Sequence, residues 1–117
     1  MEKYSQSLDD VLKALADPTR RAVIQRLGRG PASVGELAGP FPITLPSFMK
    51  HVRALESSGL IRTTKSGRVR MCVLDRERLA LIDGWLADQR QLWESRTDRL
   101  EALVIRHHVS ERKEPRE

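Results

Sequence analysis

Residues 44–74 restrict the fold of this chain more than any other segment. The segment begins with an amphipathic helix, because three apolar residues recur one and two turns apart: Phe48, Val52 and Leu55. Thr44 stands at the expected N-cap of this helix, and Ser58-Gly59 is a typical helix end. The pattern predicts a helix over 44–57 with one buried face and one exposed face.

Two predicted strands follow that helix without a linker. Residues 60–64 and 69–74 have the composition of strands, and the loop Lys65-Ser66-Gly67-Arg68 separates them. The glycine supplies the turn, because it tolerates the backbone conformations that tight hairpins need. The sequence therefore predicts a β-hairpin whose tip is residues 65–70.

The same part of the chain carries the whole charge surplus of the protein. Segment 44–78 holds eight Lys and Arg residues against three acids, a surplus of five that equals the net charge of +5 for all 117 residues. Cationic side chains on a helix and on the hairpin beside it favour a nucleic-acid duplex as the partner, since its phosphates run past both elements.

The rest of the chain predicts four more helices. The first predicted helix ends near Asp17-Pro18. It is marked by a stripe of apolar residues, namely Leu8, Val11, Leu12 and Leu15. Asp17 is the expected cap of the second, and its inward residues are expected to be Ala22, Val23 and Leu27. Ser33 and Glu36 form a capping box for a short third helix, and a long last helix runs from about 76 to 107.

These elements predict a winged helix-turn-helix, mainly α with a small β-hairpin, in the order α-α-α-α-β-β-α. We expect one domain over 1–108 and a disordered charged tail over 109–117. Such a fold places one helix, here residues 44–57, in the major groove of double-stranded DNA. The β-hairpin, called the wing, lies beside that helix. The alternative is a winged-helix module that docks on another protein and makes only non-specific contact with nucleic acid.

Composition argues against several other classes. No apolar run in the sequence approaches the ~20 residues that span a bilayer, and MEKYSQSLDD is unlike a signal peptide. Cys72 is the single cysteine, so an internal disulfide is impossible and a reducing, cytoplasmic location is expected. The sequence contains no phosphate-binding glycine loop and no Ser/His/Asp set, so neither an enzyme nor a cofactor is expected.

Four motifs follow one another within residues 8–105: ALADPTRRAVIQRL, GELA, LPSFMKHVRALESSGLI and KSGRVRMCVL. Together they resemble the ArsR-type winged helix repressors of prokaryotes. The resemblance implies a homodimeric, DNA-binding transcriptional regulator, usually a repressor released by a signal, whose first and last helices build the dimer interface. The sequence identifies no small-molecule effector.

A metal ion is the best-known signal of this family, but the sequence lacks the usual ligands. The positions that match the family's Cys-x-Cys pair are Ser33 and Gly35, which offer no thiolate. The central part of the last helix has no histidine, and the adjacent His107 and His108 would point about 100° apart on a helix. No metal site is therefore expected.

The winged-helix prediction assigns DNA contacts to nine residues. They are Thr44, Ser47, Met49, Lys50, His51 and Arg53 on the helix, and Lys65, Arg68 and Arg70 on the wing. Ser47, Met49 and Lys50 are expected over base edges, and the wing cations over phosphates or the minor groove. His51 is open between a phosphate contact and packing inside the domain, and Arg20-Arg21 between a phosphate contact and ordinary surface.

The dimer prediction depends on apolar stripes near both ends of the chain. The expected interface residues are Leu8, Leu12, Leu15, Leu86, Trp93 and Leu100. Trp85 and Trp93 lie about two helical turns apart, which favours interface packing, with a small-ligand pocket between the two chains as the alternative. Cys72 is interpreted as a buried structural thiol, with a redox sensor as the alternative.

Overall fold

The computed structural model describes residues 5–108, apart from the side chains of residues 5, 97–99, 102, 103 and 105–108. The tail 109–117, for which disorder is expected, lies outside the described residues, as do the side chains of His107 and His108. Two compact units are distinguished, with the boundary between Asp83 and Gly84. The single domain over 1–108 stays a prediction.

Between residues 5 and 108 the chain alternates helices and short strands as a winged helix-turn-helix does. The helices are α1 (Ser5–Ala14), α2 (Pro18–Leu27), α3 (Val34–Ala38), α4 (Leu45–Ser57) and α5 (Arg76–His108). The strands are β1 (Ala32–Ser33), β2 (Ile61–Ser66) and β3 (Val69–Leu74). The predicted fold class is confirmed, with β1 as an addition.

The predicted caps position the helices that matter for the site. Asp17 and Thr44 each accept a hydrogen bond from the backbone N–H three residues on, at 3.1 and 3.3 Å. At the start of α3, Ser33 and Glu36 exchange side-chain to backbone bonds of 3.1 and 2.8 Å. These bonds satisfy N–H groups that have no partner within their own helix, so they fix the residue at which each helix begins.

The wing belongs to an antiparallel sheet with the strand order β1-β3-β2. The sequence predicts the first wing strand over 60–64, but β2 occupies 61–66, because pairing with β3 continues up to the turn. Gly67 makes that turn with a φ of +64°, a conformation that favours glycine. Strand β1 was not predicted from the sequence, because its two residues, which pair with Met71 and Cys72, are too few to show a periodic pattern.

The first unit encloses a hydrophobic core. Its largest fully buried side chains are Val11, Val23, Leu27, Phe48, Val52, Leu55, Leu60, Ile61 and Cys72. The predicted buried face of α4 is confirmed. The prediction for α2 is wrong at Ala22, which is exposed, while Ile24 is buried instead. Phe41, in the connection from α3 to α4, stacks on Phe48 with ring centroids 5.7 Å apart and so anchors α4.

The second unit contains the remainder of α5. Large apolar side chains are exposed along it: Trp85, Leu86, Leu92, Trp93, Leu100 and Val104. Although α5 is 33 residues long, charged residues interrupt its apolar ones. Among the residues described, no helix is both long enough and apolar enough to cross a membrane.

Candidate nucleic-acid interface

The exposed face of α4 presents two cationic side chains that bind no residue in the described part of the chain. Phe48, Val52 and Leu55 point into the core, so residues on the opposite side of the helix point outward. Lys50 and Arg53 lie on that outer side, and their side chains make no hydrogen bond or ion pair with any residue in the described part of the chain. Both side chains are free to donate to phosphates or to guanine acceptors.

The first turn of α4 departs in part from the prediction. Thr44 and Ser47 are exposed as expected, although the Thr44 hydroxyl is engaged in the helix cap. Met49 is half-buried and packs against the core, so only part of its side chain remains for a base edge. Leu45, which the sequence analysis did not single out, is 56% exposed at the start of the helix.

The wing offers two unpartnered cations near its tip. Lys65 and Arg68 flank the turn at Gly67, and both are exposed. Neither side chain makes a hydrogen bond or an ion pair with any residue whose side chain the structure describes. Because Gly67 has no side chain, the turn itself presents no bulk that would keep the two cations away from a phosphate.

Arg70, the third predicted wing cation, is hydrogen-bonded within the chain. Its Nη1 donates to the Thr63 hydroxyl oxygen at 2.8 Å, and that hydroxyl donates to Glu56 Oε2 at 2.9 Å. Glu56 lies on α4, so these two bonds connect the wing to the helix beside it. Thr63 and Glu56 were not predicted from the sequence, because no local pattern brings residues seven apart in different elements together.

His51 lies on the α4 side that faces α2. Its Nδ1 is 3.3 Å from Nη1 of Arg20 and 3.7 Å from Oδ2 of Asp17, and its side chain is only 22% exposed. Desolvation acts to raise the pKa of Asp17, but the backbone N–H of Arg20 and the nearby imidazole lower it below its ordinary value. These contacts support the packing interpretation of His51 over a phosphate contact.

Arg20 and Arg21 act as caps of α1 in this structure. Arg20 Nε donates to the Ala14 carbonyl at 2.6 Å, and Arg21 Nη1 donates to the Leu15 carbonyl at 2.8 Å. The last carbonyls of a helix have no partner within it, and cations near that end also complement the helix dipole. The two arginines therefore hold the end of α1 against the start of α2, a role that the sequence alone did not indicate.

Gly59 permits a close contact behind the helix-turn-helix. It has a φ of +84°, and a Cβ at this position would collide with the guanidinium of Arg78. A larger residue at position 59 would therefore both strain the backbone and displace the Arg78 side chain. The sequence predicts Gly59 only as a helix end, because the approach of Arg78 from α5 is a tertiary feature.

Cys72 has the environment of a structural thiol. It is fully buried, and burial together with the Glu56 carboxylate raises its pKa despite the opposing charge of Arg70. A raised pKa keeps the thiol protonated near neutral pH, which makes it a poor nucleophile. The interpretation of Cys72 as a buried packing residue is supported.

The residues predicted for a dimer interface differ in exposure. Leu8 is already buried within the chain, at 6% exposure, and Leu15 is half-buried against the core. The other four are exposed: Leu12, Leu86, Trp93 and Leu100. Of the six predicted interface residues, these four have substantial apolar surface that a second chain could cover.

The positions that would carry thiolates in a metal-sensing relative have no metal-binding side chain here. Ser33 uses its hydroxyl to cap α3, and Gly35 has no side chain. Within the part of the chain that the structure describes, no three His, Cys, Asp or Glu residues are grouped so that they could hold a metal ion.

The α3–α4 pair, the hairpin and the free cations on both define a winged helix-turn-helix protein, and comparison with known proteins agrees. A family model described as a helix-turn-helix domain matches residues 15–64. The chain is 39% identical over 77 residues to the HTH-type transcriptional regulator Rv2034 of Mycobacterium tuberculosis, covering 66% of this chain and 72% of that protein. It is 30% identical over 78 residues to the arsenical resistance operon repressor of Staphylococcus xylosus, covering 67% and 75%.

Solved structures lead to the same family. The crystal structure of an ArsR family transcriptional regulator is 57% identical, with a TM-score of 0.77 over 81% of this chain and 98% of that one. An ArsR-like transcriptional regulator from Rhodococcus sp. RHA1 is 28% identical, with a TM-score of 0.70 over 83% and 92%. The chain belongs to the ArsR family of winged helix-turn-helix transcriptional regulators. It is a DNA-binding regulator and not an enzyme.

Proposed function

We propose that this protein is a homodimeric repressor that binds an inverted-repeat operator, with α4 in the major groove and the wing on the backbone or in the minor groove. The observation that carries this proposal is the set of four cations on α4 and the wing whose side chains bind no described residue: Lys50, Arg53, Lys65 and Arg68. Cations that stabilise nothing inside the chain, on two elements that a duplex would touch together, are best explained by a polyanion.

The two elements have different roles in the proposed complex. Lys50, on the outer face of α4 (the recognition helix), donates to guanine acceptors and contributes to sequence preference. Lys65 and Arg68 contact phosphates, so they contribute to affinity without reading sequence. A cytoplasmic location goes with this role, because a repressor has to reach the DNA that it regulates.

The decisive experiment compares Lys50→Ala with Lys13→Ala. An operator is first selected from the upstream region of the protein's own gene by electrophoretic titration, and each variant is titrated with operator and with random duplex. We expect Lys50→Ala to cost about 1–3 kcal/mol on the operator and to lower the preference over random DNA. Lys13, an exposed lysine on α1, should be replaceable without effect. An unchanged preference in Lys50→Ala would contradict the assignment.

The wing is tested by replacing Lys65 and Arg68 with alanine together. Loss of two phosphate contacts should weaken binding to every sequence and reduce the slope of log K against log salt by about one for each contact. The ratio of operator to random binding should stay as in the parent. A double variant with the parental salt slope would show that the wing does not touch the backbone.

A further inference from the structure

An apolar cleft lies between the recognition helix and the wing. Its volume is about 370 Å³, and its lining comes from Leu45 and Met49 on α4, from Val69 at the start of β3, and from residues 33–35 at the start of α3. Arg68 and Arg70 complete the lining on the wing side. A cleft with an apolar floor and cations on one side fits a molecule that is part apolar and part anionic.

Leu45 and Val69 leave their apolar surface in water when the protein is alone. They are 56% and 47% exposed, and neither belongs to the buried core. Leucine at the first position of α4 is not needed to form the helix, since Thr44 supplies the cap and Phe48 the anchor. Exposed apolar side chains beside the free guanidinium of Arg68 favour a surface that a partner covers.

The position of the cleft identifies that partner. In a winged helix on DNA, one strand of the duplex passes between the helix in the major groove and the wing beside it. The first residues of a recognition helix reach base edges, and the apolar group that base edges present in the major groove is the thymine methyl. A DNA strand also carries the phosphates that Arg68 would bind.

We propose that this cleft holds one strand of the operator, with Leu45 packed against a thymine methyl group in each half-site and Arg68 on a neighbouring phosphate. This inference depends on the proposed function and adds a sequence requirement to it, namely a thymine opposite the start of α4. The base-edge contact expected of Met49 is thereby assigned to Leu45, because Met49 is half-buried.

The test is a cycle between Leu45→Ala and uracil substitution in the operator. Each thymine of a half-site is replaced in turn by deoxyuridine, which lacks only the methyl group, and the affinities of parent and Leu45→Ala are measured at several salt concentrations. We expect one position at which the parent binds about fourfold more weakly with uracil. At that position Leu45→Ala should bind thymine and uracil equally, with the parental salt slope.

Val73→Ala serves as the matched control, because Val73 is also exposed on β3 but does not line the cleft. This variant should keep the parental sensitivity to uracil, and circular dichroism should show the same helix content in all variants. If uracil has no effect at any position, or the same effect on parent and Leu45→Ala, the inference is overturned. A retained loss of operator preference in Lys50→Ala would then leave the proposed function intact.

Discussion

At the scale of single residues, Asp17, Arg20 and His51 show how a candidate DNA contact becomes an internal one. His51 lies next to Lys50 in sequence, yet its ring is placed between two side chains of the α1–α2 corner. Helical geometry accounts for the difference, since consecutive residues point about 100° apart. Lys50 faces outward and His51 faces α2, so the two residues have separate roles.

Asp17 is expected to contribute to stability through its cap and its charge. Asp17→Ala should lower the free energy of unfolding at pH 7 by about 1 kcal/mol, because the N-cap acceptor is lost. Asp17→Asn keeps an acceptor and should be milder. Urea unfolding of the three proteins measures both effects, and equal stability of Asp17→Ala and parent would contradict the role of the cap.

The charge of Asp17 also predicts a pH dependence. Its pKa is lowered in the folded protein, so the contribution of the carboxylate is present above its unfolded pKa of about 4 and is lost as pH falls through the folded value. The stability difference between parent and Asp17→Asn should therefore shrink between pH 5 and pH 3. A difference that is constant over this range would show that the carboxylate has no special interaction.

At the scale of elements, the position of the wing relative to α4 depends on side chains that neither element reveals alone. The bonds from Arg70 to Thr63 and from Thr63 to Glu56 join β3, β2 and α4. The sequence predicted the helix, both strands and the turn, because each has a local period or a local cap. It could not predict this connection, because Glu56 and Thr63 are brought together by the packing of β2 against α4.

Thr63→Val is expected to loosen the wing without unfolding the protein. The substitution keeps the shape of the side chain but removes the hydroxyl, and exposed hydrogen bonds contribute only about 1 kcal/mol each. Operator affinity should fall while affinity for random DNA stays the same. The reason is that the wing can contact its phosphate at the same time as α4 contacts bases only if the orientation of the wing relative to α4 is fixed. Thr64→Val is the control, because the exposed Thr64 hydroxyl has no partner among the described residues. Equal binding by the two variants would rule out the connection.

At the scale of the whole molecule, the exposed apolar residues of α5 favour the proposed dimer. Trp93 is 55% exposed, and Leu86 and Leu100 are exposed as well. Covering such residues contributes about 25 cal/mol per Å² of apolar surface to the free energy of association. A two-fold dimer would cover them symmetrically. Two recognition helices would then bind two half-sites, and linking them raises affinity through effective concentration.

Trp93→Asp should convert the proposed dimer into a monomer. The new carboxylate would have to be buried without a partner, which opposes association. Sedimentation at micromolar concentration should show a dimer for the parent and a monomer for Trp93→Asp, with weak operator binding and unchanged helix content by circular dichroism. Gln91→Asp, which adds the same charge at an exposed polar position of α5, should still dimerise. A monomeric parent, or a dimeric Trp93→Asp variant, would contradict this prediction.

Sequence by itself determined the features of this protein that depend on neighbours along the chain. Thr44, Asp17 and the Ser33-Glu36 pair specify where helices begin, and Gly67 specifies the turn. The local cation surplus predicts the face for DNA. Only the tertiary structure decided which cations are free. Lys50 and Lys65 have no partner among the described residues, whereas Arg20 and Arg70 are bound by groups from other elements. The physical reason is that caps, turns and periodicity act within a few residues, while the partner of a long side chain depends on which elements pack together.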